Sequence, residues 1–457
     1  MSNAMENNLS EGSVLRKMIL FALPFLVSNI VQSFYNVADM LIVGNFCGPE
    51  SMSGVNIGGQ VTFILTNIII GLSMGATVLI GQYVGAKNRE SLKKVTSTII
   101  TLLLVIGMVM TVVMLMVKEP LLQLIQTPPE SYGESESYLT VTVYGIVFIF
   151  GYNALSAILR GMGDSKRPFY FVLTACITNI VLDLLFVAGF GWGAFGAALA
   201  TVISQAMSMF LCVFYMIRND FIFDFRPESF GIDKGQLSLI FKIGLPTCIQ
   251  NSITSVSFLF LTSMVNTVGG VSASAAVGAA GKIGSFAFMP AVAISASVST
   301  MSAQNIGANR LDRAVEACRI GCIAAAVITS LLFVVVRIFP EQLLLLFSDD
   351  PQMVANGIIY LRYFSYDFLI IPFVFCINGL FIGGGHTMFT LATNIIASVV
   401  LRVPICYFLA IVLGHGLAGV AASTPLASCG VLLIVIVYLL SGRWKENVIN
   451  AEPEAML

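Results

Sequence analysis

Apolar runs of about 20 residues or more, enough to cross a bilayer as helix, recur along nearly the whole chain. Twelve read as spans: 18–43, 54–80, 95–117, 138–159, 168–190, 194–217, 243–265, 275–302, 320–339, 357–381, 389–412 and 417–440. Polar residues gather in the breaks between them. The one long break, 218–242, opens "RNDFIFDFRPESFGIDKGQLSL". Lysine and arginine then assign sides. With a cytoplasmic N-terminus, eighteen of the 23 fall on the inner side, Lys118 and Arg337 on the outer side, and Lys282, Arg362 and Arg402 within spans. The asymmetry predicts a multi-pass protein of the cell (plasma) membrane with both termini cytoplasmic.

The pattern also repeats. "FALPF" at 21–25 resembles "IGLPT" at 243–247, so Pro24 faces Pro246. "GQYVGAKNRE" at 81–90 resembles "AQNIGANRLD" at 303–312, and "RGMGD" at 160–164 faces "IGGGH" at 382–386. All three pairs lie 222 residues apart. Six is an even number of crossings, so the two halves enter the membrane in the same sense and form a parallel repeat. The predicted fold is all-α polytopic: twelve transmembrane helices in two six-helix bundles. Its segments are an N-terminal tail 1–17, a bundle 18–217, a linker 218–242, a bundle 243–440 and a tail 441–457. Two similar bundles on one linker predict a cleft and alternating access, hence a transporter rather than an enzyme.

Composition agrees. The chain is 57% hydrophobic and 10% charged, with mean hydropathy +0.92. A soluble protein carries about 25% charged residues. A net charge of −1 with no basic domain offers nothing to nucleic acid. Nine scattered cysteines form no metal or redox pattern, and no cofactor is expected. The opening "MSNA" reads as an expression scar before Met5, with no cleavable signal peptide after it.

Three acids fall inside spans: Asp39, Asp183 and Asp367. A charge at mid-bilayer costs about 2.5–3.5 kcal/mol on insertion scales, so such residues usually face a cavity or the bundle interior. "TNIVLDLLF" puts Asn179 and Asp183 on one helix face. At 1.5 Å per residue Asp183 lies roughly 22 Å into span five. Asp39, late in span one, and Thr201, early in span six, reach a similar depth, with Tyr35 one turn before Asp39. Asp39, Asn179, Asp183 and Thr201 thus define a candidate pocket for a sodium ion or a proton; two unrelated acids at helix ends are the plainer alternative. At an offset of 222, Leu261 faces Asp39 and Ile405 faces Asp183, so coupling is expected in the first half alone. Asp367, five residues after Arg362, reads either as a structural ion pair or as a substrate carboxylate. Lys282 either neutralises an acid in the cleft or snorkels to an interface.

Together the spans, the paired prolines, the "GQYVGAKNR" and "AQNIGANR" loops and "LRGMGDSKRP" resemble the multidrug and toxic compound extrusion family over nearly the whole chain. The resemblance implies a secondary antiporter exporting small organic cations in exchange for sodium ions or protons, working as a monomer in the bilayer. Within that family the chain looks most like the DinF-like group, whose first-lobe pocket Asp39, Tyr35, Asn179, Asp183 and Thr201 match. The resemblance also implies that Pro24 bends span one to open and close that pocket. Span seven, "PTCIQNSITSVSF", offers Gln250 and Asn251 but no acid, unlike the NorM-like group. Gln250, Asn251, Asp367 and Lys282 remain candidates for a substrate cleft. One alternative is a flippase for lipid-linked sugars of the same larger superfamily. Another is an intramembrane aspartyl protease, from "GMGD" and "YD"; the motif order opposes it, and Asp164 is expected in a wet loop.

Overall fold

The structure, a computed structural model, describes residues 7–219 and 221–446. The opening residues read as an expression scar and the end of the stretch read as a C-terminal tail lie outside the described residues. Lipid offers no hydrogen-bond partners, so every crossing must satisfy its own backbone, and the chain does so as helix. Among the described residues nine helices are long and apolar enough to cross a membrane. A tenth span consists of α9 (Pro351–Phe364) and α10 (Asp367–Gly383), bent by 49°. Two of the nine are too long for one crossing. Helix α1 (Val14–Gly85) has 72 residues and α6 (Lys234–Gly307) has 74. At 1.5 Å per residue each is over about 100 Å long, against a hydrocarbon core of about 30 Å. Each is broken at one glycine with positive φ, Gly48 at 81° and Gly270 at 62°, a backbone conformation that residues with a side chain rarely adopt. Counting each as two crossings gives the expected twelve.

The remaining elements are α2 (Arg89–Leu124), α3 (Pro129–Gly161), α4 (Lys166–Asp183), α5 (Gly193–Arg218), α7 (Leu311–Ile338), the short α8 (Pro340–Leu345), α11 (Thr387–Ile395), α12 (Val403–Tyr407) and α13 (Gly416–Ser441). Three π-helical stretches interrupt them: Leu184–Gly189 after α4, Ile396–Arg402 after α11 and Phe408–Val412 after α12. The helix α6 begins at Lys234, inside the stretch read as linker.

The chain divides into two compact units. Unit 1 is Leu23–Cys248 with the extreme N-terminus, and unit 2 is Ile249 onward with Leu9–Ala22. The repeated loops explain this exchange of leading segments. In unit 2 the side-chain oxygen of Gln304 accepts from the Leu9 backbone N–H at 2.8 Å, and Arg310 donates to the Ser10 carbonyl at 2.7 Å. In unit 1 Thr98 accepts from the Asp233 N–H at 3.1 Å, and Gln236 donates to the Tyr83 hydroxyl at 3.0 Å. Each loop therefore receives the segment that leads into the other repeat's first span. Inside unit 1, α3 packs on α2 and α5, and α4 on α5; inside unit 2, α10 packs on α7 and α13.

The repeat is written into the backbone. Gly48 and Gly270, Lys87 and Asn309, and Gly163 and Gly385 all have positive φ, and each pair is 222 apart. The next pairs, Gly191 with Gly414 and Gly193 with Gly416, are 223 apart. One residue has been added between Gly385 and Gly414. The π-helix Ile396–Arg402 lies in that interval, while the matching stretch of α4 is ordinary α-helix. A π turn bonds i to i+5 and takes up one extra residue. This corrects the constant offset read from the sequence: beyond the π turn Asp183 corresponds to Cys406, not Ile405, and Asn179 corresponds to Arg402.

Candidate cation site

Unit 1 brings the four predicted residues together. Asp39 comes from α1, Asn179 and Asp183 from the last two turns of α4, and Thr201 from the third turn of α5. Two features fix the approach of α5. Glu134 accepts from the Ala194 N–H at 2.7 Å at the helix start. The small Ala194, Ala197 and Ala198 then pack against Val43, Tyr138 and Val187 in one buried cluster. Val43 and Val187 each lie one turn beyond an acid, so the pocket is walled by apolar side chains.

All four residues are shielded: Asn179 and Asp183 are fully buried, Asp39 is 6% exposed and Thr201 9%. The carboxyl groups of Asp39 and Asp183 approach within hydrogen-bonding range of each other. Tyr35 donates to Thr201 Oγ1 at 2.9 Å, and Asn179 Nδ2 reaches the same oxygen at 3.5 Å. Among the described residues Asp39 Oδ1, Asn179 Oδ1 and both oxygens of Asp183 have no hydrogen-bond donor, and no ion pair includes either acid. A buried polar atom without a partner costs about 1–3 kcal/mol, and more when charged. Four such oxygens in one place are an acceptor set that calls for a proton or a cation. Among the described residues no group of three or more His, Cys, Asp or Glu suits a metal ion; two acids with neutral oxygens match a single charge. Asp183 is the last α-helical residue before the π stretch Leu184–Gly189.

Sequence reasoning missed Tyr138, on α3, which faces Asp39 and Asp183. Its signal was its repeat mate Tyr360, 222 residues on. Pro24 is half-buried in α1, two residues into unit 1, and its carbonyl accepts from Ser28 at 2.8 Å.

The residues assigned to a substrate cleft differ in burial. Asp367 is 2% exposed and opens α10 at the bend of the broken span. Lys282 is exposed, and Gln250 and Asn251 are half-buried. Among the described residues no hydrogen bond or ion pair joins these three to Asp367. Arg362 is exposed; Asp367 instead faces Arg402 and Ser428. Asp164 also departs from expectation. It is 1% exposed rather than wet, because its Oδ1 accepts from the Lys166 and Arg167 N–H groups and its Oδ2 pairs with Arg167 at 2.7 Å. It ties down the turn between α3 and α4.

The profile of the family described as MatE matches residues 24–185 and 246–408. The chain belongs to the MatE family. The two matches begin at the paired prolines, 222 apart, and end 223 apart, in keeping with the added residue. Among MatE relatives, the "Probable multidrug resistance protein YoeA" of Bacillus subtilis is 31% identical over 450 residues, covering 96% of each chain. The "Probable multidrug resistance protein NorM" of Thermotoga maritima is 26% identical, covering 95% of this chain and 94% of its own. The MatE fold is also that of a solved "outward-facing conformation of a multidrug resistance MATE family transporter of the MOP superfamily" (TM-score 0.89, 23% identity, 96% of this chain and 97% of that one).

Proposed function

We propose that the protein is a multidrug exporter of the plasma membrane that moves organic cations out of the cytoplasm in exchange for sodium ions or protons, by alternating access of its two units. Multidrug resistance and export proteins among the MatE relatives support the export of drugs. The observation that carries the coupling is the facing pair Asp39–Asp183 with its four donorless oxygens. Two carboxylates in apolar surroundings repel each other and lose hydration, so the pocket is costly when both are charged. One proton or one monovalent cation removes that cost. Loading the pocket thus changes the free energy of every state that buries it, which is what an antiporter needs to link ion movement to drug movement.

The test is efflux of a fluorescent organic cation from proteoliposomes under an imposed sodium gradient or an imposed pH gradient, for wild type and Asp183→Asn. The expected result is that one gradient drives wild-type efflux and the substitution abolishes it. Gradient-driven efflux that survives the substitution would move coupling away from unit 1. Efflux driven by neither gradient would turn the reading toward lipid-linked sugar flipping.

A further inference from the structure

Unit 2 holds the repeat image of the acid pocket with its charges replaced. Tyr360 stands where Tyr138 does, Leu261 replaces Asp39, and beyond the added π residue Arg402 replaces Asn179 and Cys406 replaces Asp183. The group is assembled in space as well as in register. Tyr360 faces Arg402, Cys406 and Asp367 together. Cys406 is fully buried, Asp367 2% exposed, Tyr360 5% and Arg402 9%. Asp367 has no counterpart acid in unit 1, where the matching residue is Gly145.

A guanidinium stays charged at any pH a protein meets. Arg402 therefore brings a permanent positive charge into an apolar interior. Its guanidinium lies 5.4 Å from the Phe258 ring centre, and its Nε and Nη1 have no hydrogen-bond partner among the described residues. The balancing charge that faces it is Asp367; among the described residues the two make no ion pair within 4.0 Å, the Asp367 Oδ1 likewise has no donor, and its carboxyl also meets Ser428. Asp367 is the first residue of α10, and a helix N-terminus favours a carboxylate. The π stretch Ile396–Arg402 ends on the arginine itself, so the added residue sets the face on which the side chain projects.

We infer that Arg402 is the resident cation of unit 2, a tethered charge standing where unit 1 accepts an exchangeable one, and that it balances the buried charge of Asp367, so that this acid neither binds nor releases ions. The inference rests on the reading of unit 1 as the exchanging site. It assigns the two units different duties: one loads and unloads, the other keeps a constant charge throughout the cycle.

The experiment counts ions on the purified full-length protein. Equilibrium binding of radioactive sodium, and proton release on adding an organic cation in weakly buffered solution, are measured for wild type, Asp183→Asn, Arg402→Gln, Arg402→Lys and the double variant Asp367→Asn/Arg402→Gln. The expected result is one exchanging ion in wild type and in the double variant, one in Arg402→Lys, and a second sodium or proton in Arg402→Gln, where Asp367 has lost its partner. A double variant that loses an exchanging ion would overturn the inference, because Asp367 would then be an ion site. An Arg402→Gln protein that folds and gains no ion would overturn it too. If Arg402→Gln does not fold, the double variant, which removes both charges, decides. Asp183→Asn separates the two readings: an unchanged ion count there refutes the role of unit 1, whatever Arg402 does.

Discussion

Single side chains in unit 1 have separable duties. Asp39→Asn and Asp183→Asn each remove a carboxylate from the acceptor set, and each is expected to abolish gradient-driven efflux while leaving the protein folded. Monodispersity and melting temperature check the second point. Tyr35→Phe deletes only the hydroxyl that donates to Thr201. A neutral hydrogen bond is worth about 0.5–1.5 kcal/mol net, so the half-saturating ion concentration should rise by about tenfold at most. These positions were legible because an acid in an apolar run has few reasons to be there, and because Asn179 and Asp183 share a helical face. Tyr138 was not: a tyrosine in a span is ordinary until two other helices each bring an acid to it. Asp164 was misread for a related reason. Its basic neighbours suggested water, but the turn folds its carboxyl inward onto its own backbone.

The elements carry the repeat through close approach. A Cβ on Gly161 would stand 2.8 Å from the Thr77 carbonyl, and Gly383 meets the equivalent Ser299 carbonyl. Gly161→Ala should therefore lower stability by about 1–3 kcal/mol, the usual cost of overpacking, read as a drop in melting temperature. Gly59→Ala, where nothing lies within 4 Å of the added carbon, is the control expected to show no loss. The glycine motifs were visible as a repeated string, and the structure supplies the reason: a helix backbone passes too near for a side chain. The added residue was harder to see. A π turn has no residue signature of its own, and only the glycines beyond it, at 414 and 416, carry the changed spacing. Deleting exposed Val399 should restore the α register and turn the following helix by about 100° relative to α11. The expected outcome is a marked loss of folded protein.

The whole molecule follows from hydropathy and charge. Twelve crossings emerged from the apolar runs, although two pairs of them run on as single long helices whose breaks are set by one glycine each. Sidedness is open to a direct test. In a cysteine-free background, Gly133→Cys, at an exposed position in the second turn of α3, should react with a membrane-impermeant thiol reagent in intact cells. Arg443→Cys should react only after the cells are permeabilised. The exchange of leading segments has a bearing on biosynthesis. Unit 1 is completed by residues up to Cys248, which leave the ribosome after the linker, and unit 2 needs Leu9–Ala22, which leave it well before the rest of that unit. During translation Leu9–Ala22 must wait for almost everything that follows, and the first unit stays unfinished until the second has begun. Co-expressed fragments divided within the linker would each be born lacking a piece that only the other carries.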